Sequence, residues 1–310
     1  MTMKEKNFVS LVAYVHNNAD TVVPFMESIV ALLTTNFLRY ELIFVDDASD
    51  DDSVEKIKST VDENHGCMVQ VIRMSYVQGV EMAMNAGVDL AIGDFVYEMD
   101  SVQMDYSLDL LMDVYRRALE GYDIVSAFPK EKGRLTSRLF YGLYNHFSSN
   151  RYVLKTERFR ILSRRAINRI HSLSKTIPYR KALYVNCGLV QDAIAYIPRR
   201  GRLESKSGRP LRMRIALDAL IIFTDIGYKA AWFFSLGMML GSVAIAVYVT
   251  FIFLTEQPVP GWASIMWLLS VGFAGCFALA AITIKYLDVL IGLVFKKKNY
   301  TFSAIEKIVK

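Results

Sequence analysis

Residues 40–53 read Tyr-Glu-Leu-Ile-Phe-Val-Asp-Asp-Ala-Ser-Asp-Asp-Asp-Ser, an apolar run that stops on two carboxylates and then on small, turn-forming side chains. Tyr40 to Val45 has the length and β-branched, aromatic content of a buried strand, and the Asp/Ser run after it favours a turn or a helix cap. Ser53 to Asp62 then places apolar residues at helical spacing. One strand, an acidic turn and one helix follow each other without a gap.

The same alternation recurs on both sides. Phe8 to Val15, Val69 to Met74, Phe95 to Met99 and Asp123 to Phe128 read as strands. Thr21 to Leu33, Val80 to Ala91 and Leu108 to Leu119 read as helices. Strands that alternate with helices predict an α/β fold with a mostly parallel sheet covered on both faces. Ligands of such sheets sit beyond the carboxyl ends of the strands. Two acidic groups fall there: Asp46 and Asp47 after the second strand and Asp100 after the fourth. Converging carboxylates could hold a nucleotide ribose or base and, through Mg²⁺ or Mn²⁺, a diphosphate, because hard cations take oxygen ligands. A turn in which Asp46, Ser49 and Ser53 only cap the next helix would use the same residues without chemistry.

Composition fixes the rest of the organisation. The 310 residues are 53% hydrophobic and 22% charged, with 7 Pro, which excludes a disordered, collagenous or low-complexity chain. Three cysteines, Cys67, Cys187 and Cys276, have neither disulfide-framework nor zinc-ligand spacing, and the four histidines are scattered. The start, Met1 to Asn7, is polar and lacks a signal-peptide pattern. The apolar excess behind a mean hydropathy of +0.25 lies at the C-terminal end. Ala230 to Leu254 and Trp262 to Ile284 carry no charged residue, and each is long enough to cross a bilayer core. Lysines flank the pair, and the connector Thr255 to Gly261 has neither Lys nor Arg, so both chain ends are expected in the cytoplasm. Leu211 to Ile226 reads as an amphipathic helix for the headgroup layer, its arginines on lipid phosphates. The expected layout is a nucleotide-handling domain over 1–205, a juxtamembrane segment over 206–228, and a hairpin with a basic cytosolic tail over 229–310. Membrane lipids are partners on this reading. The basic, aromatic stretch Arg138 to Arg151 is read as helical packing near the bilayer, so no nucleic acid partner is expected, and homo-oligomerisation is left open.

Several strings resemble one family. Val45 to Ser53 is similar to the VDDGSTDDS segment of family 2 glycosyltransferases with the GT-A fold. Gly79, Ala83, Gly87, Ala91, Gly93 and Asp94 match the helix and strand entry that follow, and Met99-Asp100 resembles the start of the MDADLQ metal motif. Phe159-Arg-Ile-Leu-Ser-Arg-Arg165 resembles FRLMSRR, and Arg200 with Glu204-Ser-Lys206 resembles R-x-x-G-E-S-K. With the paired spans, the resemblance points to the polyprenyl-phosphate glycosyltransferase branch, which includes dolichol-phosphate mannose synthases and bacterial undecaprenyl-phosphate sugar transferases.

The resemblance implies an inverting transferase of the bacterial inner membrane. It would move a sugar from a nucleotide-diphosphate sugar donor to a polyprenyl phosphate acceptor for cell-envelope glycans. Asp100 and Arg200 would be catalytic, with Asp100 and Gln103 on the metal. Val15, Asn17, Asp46 and Asp47 would meet the nucleotide sugar. Arg134, Ser137, Ser205 and Lys206 would meet the acceptor phosphate. The chain departs from the pattern in four places: Val102 or a deletion replaces the second metal aspartate, Tyr14-Val-His-Asn-Asn18 replaces P-V-Y-N-E, Ala48 replaces a glycine, and Lys285 stands where the second span of relatives carries a Glu before the Tyr. Those departures support a second reading, a non-catalytic binding or scaffold subunit that keeps the fold.

Overall fold

The structure, a computed structural model, describes residues 4–61, 68–130, 157–173, 179–199 and 302–308, with Gly142 and individual helical positions between 233 and 290. In chain order its elements are β1 (Glu5–Val15), α1 (Val22–Asn36), β2 (Phe37–Asp46), α2 (Ser53–Thr60), β3 (Met68–Met74), α3 (Val80–Leu90), β4 (Phe95–Met99), α4 (Asp109–Leu119), β5 (Ile124–Pro129), β6 (Phe159–Ser163), α5 (Arg164–Leu173), α6 (Arg180–Asn186), β7 (Gln191–Tyr196) and β8 (Phe302–Ile308). The five strands and four helices read from the alternation are all present, with ends shifted by at most a few residues.

One sheet of eight strands runs in the order β7-β5-β6-β4-β1-β2-β3-β8. The pairs β1/β2, β2/β3, β1/β4 and β5/β7 are parallel, and only β6 and β8 run against the rest. The chain winds from β1 to β2 to β3 on one side and places β4 on the other. That reversal lies at the carboxyl ends of β1 and β4, the place where α/β sheets bind ligands in a crevice.

The strands are apolar because both faces are covered. Leu11, Val12, Ala13, Leu42, Ile43, Phe44, Val69, Val71, Val96 and Tyr97 are all buried. The helix α3 lies unusually near the sheet at Gly87. A Cβ there would stand 2.3 Å from Val12 Cγ1 and 2.8 Å from Val45 Cγ2, so the glycine sets how closely α3 approaches β1 and β2.

Two features depart from the sequence reading. The first is that residues 229–310 do not all belong to a hairpin and tail, because Phe302–Ile308 forms β8, antiparallel to β3 at the sheet edge. Seven residues suffice for a strand, and Glu306 of β8 also pairs with Lys58 of α2. The second is that β6 enters between β4 and β5 as an antiparallel strand. A pairing between segments some sixty residues apart leaves no local trace.

The chain divides into two units. One comprises Met1–His146, Asn150–Ala216 and Lys297–Lys310, and the other comprises Phe147–Ser149 and Leu217–Lys296. Among the described residues no helix is long and apolar enough to cross a membrane. The expected spans, 230–254 and 262–284, lie largely outside those residues, and the amphipathic segment 206–228 lies wholly outside. Within the second unit, helical positions such as Phe233, Phe234, Ile265 and Leu290 are more than half exposed. A Cβ on Gly275 would be 2.4 Å from Met238 Cε, so two helical stretches meet closely at that glycine.

Candidate active site

The loops after β1 and β2 are laced together. Asp47 donates its main-chain N–H to the Val15 carbonyl at 2.9 Å. The Asn17 N–H donates to Ser49 Oγ, and Asn17 Oδ1 accepts the Asp50 N–H. The N–H groups of Asn18 and Ala19 donate to Ser53 Oγ and Asp51 Oδ2. The carboxylates and hydroxyls of the acidic turn therefore do serve structure, as the turn-and-cap alternative required, but chiefly by holding the neighbouring loop. Asn17 and Ala48 both adopt φ of 52°. Asparagine tolerates that left-handed conformation, whereas an alanine pays for it with a Cβ–carbonyl clash. Ala48→Gly should stabilise the protein by about 1 kcal/mol, read as a rise in Tm; an unchanged or lower Tm would contradict the strain.

Asp46 and Asp47 have different fates. Asp47 is fully buried, and its oxygens accept the N–H groups of Gln78 (2.7 Å) and Gly79 (2.8 Å) and the Tyr14 hydroxyl (2.9 Å). It fixes the entry to α3 rather than facing the crevice. Asp46 Oδ1 accepts the Ser49 N–H at 3.1 Å. Burial raises the Asp46 pKa, against the opposing pull of Ser49 and the Arg73 charge. A carboxylate kept where it is disfavoured is a mark of a functional position.

Register places Asp46 and Asp100 at the same end of the sheet, on either side of β1. Val15 pairs with Asp46 across β1/β2, and Ala13 pairs with Met99 across β1/β4, so Asp46 and Asp100 end the two strands that flank β1. Two strand spacings put their backbones about 10 Å apart at one end of the sheet. Val15 itself is buried in the core and contributes the strand end, not an exposed side chain.

Beneath Asp100 lies a charge network that the sequence reading missed. Glu98 of β4 is the cross-strand partner of Arg160 in β6. Arg160 and Arg180 are buried completely, with Arg160 Nη1 at 3.1 Å and Arg180 Nη1 at 2.9 Å from Glu98 Oε2. Tyr184 donates its hydroxyl to Glu98 Oε1 at 2.6 Å. Arg180 also reaches Glu81 of α3 at 3.2 Å, and Arg160 reaches Glu157 at 3.0 Å. Above them, Asp100 Oδ1 accepts from Arg180 Nη2 at 2.9 Å and Oδ2 lies 3.2 Å from Lys181 Nζ. Burial alone would raise the Asp100 pKa, but Lys181, Arg180 and Arg160 outweigh it and hold the carboxyl well below the ordinary range. The signal available in the sequence was a charged residue inside each of two apolar strands, Glu98 and Arg160, which means little until the strands are known to pair.

A divalent cation fits this donor set poorly. Magnesium keeps several waters and takes one or two carboxylates in near-octahedral geometry. Asp100 has both oxygens engaged by cations. Val102, which stands where the family pattern has its second aspartate, is 1% exposed and packed in the core. The Gln103 N–H donates to Ser101 Oγ, and nothing draws its amide to Asp100. Asp105 is tied to Tyr196 and Arg158. Among the described residues no three His, Cys, Asp or Glu side chains cluster as a metal site. Arg134, Ser137, Arg200, Ser205 and Lys206 lie outside the described residues.

Residues 10–170 match the family model for glycosyl transferase family 2. The chain belongs to that family. It is a glycosyltransferase with a GT-A-like α/β domain. An uncharacterized glycosyltransferase of Synechocystis is 26% identical over 83% of this chain and 83% of its own length. The undecaprenyl-phosphate 4-deoxy-4-formamido-L-arabinose transferase of Edwardsiella ictaluri is 24% identical over 84% of this chain and 81% of its own. Among solved structures, a mannosyltransferase from Pyrobaculum calidifontis, determined with GDP-mannose and Mn²⁺, covers 91% of this chain and 88% of its own at 13% identity and a TM-score of 0.49.

Proposed function

We propose that this transferase is membrane-bound and moves a sugar from a nucleotide-diphosphate sugar to a polyprenyl phosphate, with inversion at the anomeric carbon. The observation that carries the reading is the placement of Asp46 and Asp100 on the strand ends flanking β1, at the point where the winding reverses. Relatives such as the Edwardsiella enzyme, named for an undecaprenyl-phosphate substrate and similar over most of both chains, support the acceptor. The exposed apolar positions of the second unit suit a lipid environment, which supports the hairpin at 230–254 and 262–284, and the lysines that flank the pair support cytoplasmic chain ends.

The chemistry asks little of a base. An oxygen of the acceptor phosphate, already anionic near neutral pH, forms the new bond to the anomeric carbon. The bond from that carbon to the nucleoside diphosphate breaks, and the departing diphosphate keeps the electron pair. Catalysis then consists of aligning two anions and offsetting charge on the leaving group. Asp46 faces the nucleoside and Asn17 and Asp47 shape the loop that receives it. Arg134, Ser137, Arg200, Ser205 and Lys206 supply the acceptor side, since guanidinium groups bind phosphate in bidentate fashion.

Purified full-length protein in lipid nanodiscs should transfer radiolabel from one member of a panel of UDP- and GDP-sugars to undecaprenyl phosphate, read as label in the organic phase. Label that stays with the nucleotide for every donor would overturn the assignment.

A further inference from the structure

The geometry points to Lys181 as the resident cation that receives the donor's diphosphate, in the place where a divalent metal ion would otherwise stand. The inference rests on the donor reading above and adds to it a binding residue and a metal-independent mode of binding.

Lys181 Nζ lies 3.2 Å from Asp100 Oδ2 and 3.3 Å from the Glu157 carbonyl oxygen. A cation between a strand-end carboxylate and a main-chain carbonyl, both oxygen donors, occupies the kind of position a hard metal ion takes. The network is layered by exposure. The side chains of Arg160 and Arg180 are 1% and 0% exposed, whereas those of Lys181, Glu157 and Asp100 are 11%, 14% and 18% exposed. The deep guanidinium groups face Glu98 and Glu81 and hold the Asp100 carboxylate from below. Lys181 is the cation of the set nearest solvent.

A metal ion approaching Asp100 meets Arg180 on Oδ1 and Lys181 on Oδ2, with Arg160 close behind, and so enters a field of three positive charges. Val102 cannot offer a second carboxylate, and its side chain points into the core. An anionic diphosphate meets the opposite situation. Lysine binds phosphate as a point charge, and its four-carbon stem lets the ammonium turn from Asp100 toward an incoming oxygen without unmaking the buried layer.

The test is donor binding by the full-length protein, measured by calorimetry for a panel of UDP- and GDP-sugars, once in EDTA and once with Mn²⁺. The best donor should bind with the same Kd within about twofold in both conditions. Lys181→Met should weaken that binding at least about tenfold in EDTA, with Lys181→Arg restoring part of it, as expected for a charge contact to phosphate. Wild-type binding that is about tenfold or more tighter with Mn²⁺ would overturn the metal-independent mode while leaving the donor assignment in place. A Lys181→Met protein that folds and binds as wild type would overturn the role of Lys181. Should that variant fail to fold, Lys181→Gln, which keeps a donor for Asp100 and removes the charge, must show the same loss. Absence of donor binding in both conditions would instead refute the donor reading, and this inference with it.

Discussion

Replacing Arg180 with methionine should destabilise the protein by about 3–5 kcal/mol, a far larger loss than removing a surface charge. Methionine fills much of the volume but leaves the carboxylates of Glu81 and Glu98 in a layer where their partner was a fully buried guanidinium. Glu81 keeps the main-chain N–H of residue 180 and loses the side-chain contact. Glu98 keeps Arg160 and the Tyr184 hydroxyl. The penalty is that of an unpaired buried charge, so it does not imply that the intact network is worth as much to folding. A suitable control is Arg116→Ala, which removes an exposed pair with Asp113 and should cost under about 1 kcal/mol.

Acidification gives Arg180→Met a second signature. The Asp100 pKa is depressed in the folded protein, so its contribution to stability is complete above the ordinary aspartate value near 3.9 and is lost as pH falls below it. With one of its three cations gone, Asp100 moves back toward that value and its contribution shrinks. Thermal unfolding followed from pH 7 downward should show the large deficit at neutral pH narrowing in acid. A Tm within about 2 °C of wild type at pH 7 would mean that the buried carboxylates find other partners and that Arg180 does not hold Asp100 in place.

How much of this was legible beforehand depended on distance along the chain. Local periodicity sufficed for β1 to β5 and α1 to α4, because each is an apolar pattern closed by turn residues. It also sufficed to mark Asp46 and Asp100, since a carboxylate directly after a buried strand must lie at the sheet's rim. It could not separate Asp46 from Asp47. Their difference comes from Gln78 and Gly79, whose N–H groups turn Asp47 toward α3. The Arg160, Arg180 and Lys181 cluster was invisible for a related reason. Its members come from β6 and α6 and meet β4 only through an antiparallel insertion, so the arginine in Phe159-Arg-Ile-Leu read as no more than one letter of a matched motif. The strand β8 followed the same rule, being too short and too far from β3 to announce its pairing.

Asp46→Asn should separate binding from stability. Asparagine keeps an oxygen that can accept the Ser49 N–H, so the turn is preserved. It lacks the charge that burial disfavours. Because the folded pKa of Asp46 is raised, the ionised carboxylate opposes folding once pH exceeds the ordinary aspartate value, and that opposition is present in full above the raised folded value. The variant should therefore have a higher Tm than wild type at pH 7 and a similar Tm below about pH 4. Donor binding should move the other way. Loss of one charge-assisted hydrogen bond to the nucleoside is worth about 1.5–3 kcal/mol, or roughly 10- to 150-fold in Kd. Calorimetry and thermal unfolding on the same preparation check both halves. A variant that is stabilised yet binds donor as tightly as wild type would leave Asp46 as a strained turn residue with no ligand, and a variant that loses both properties would show that its charge is needed to hold the loops after β1 and β2 together.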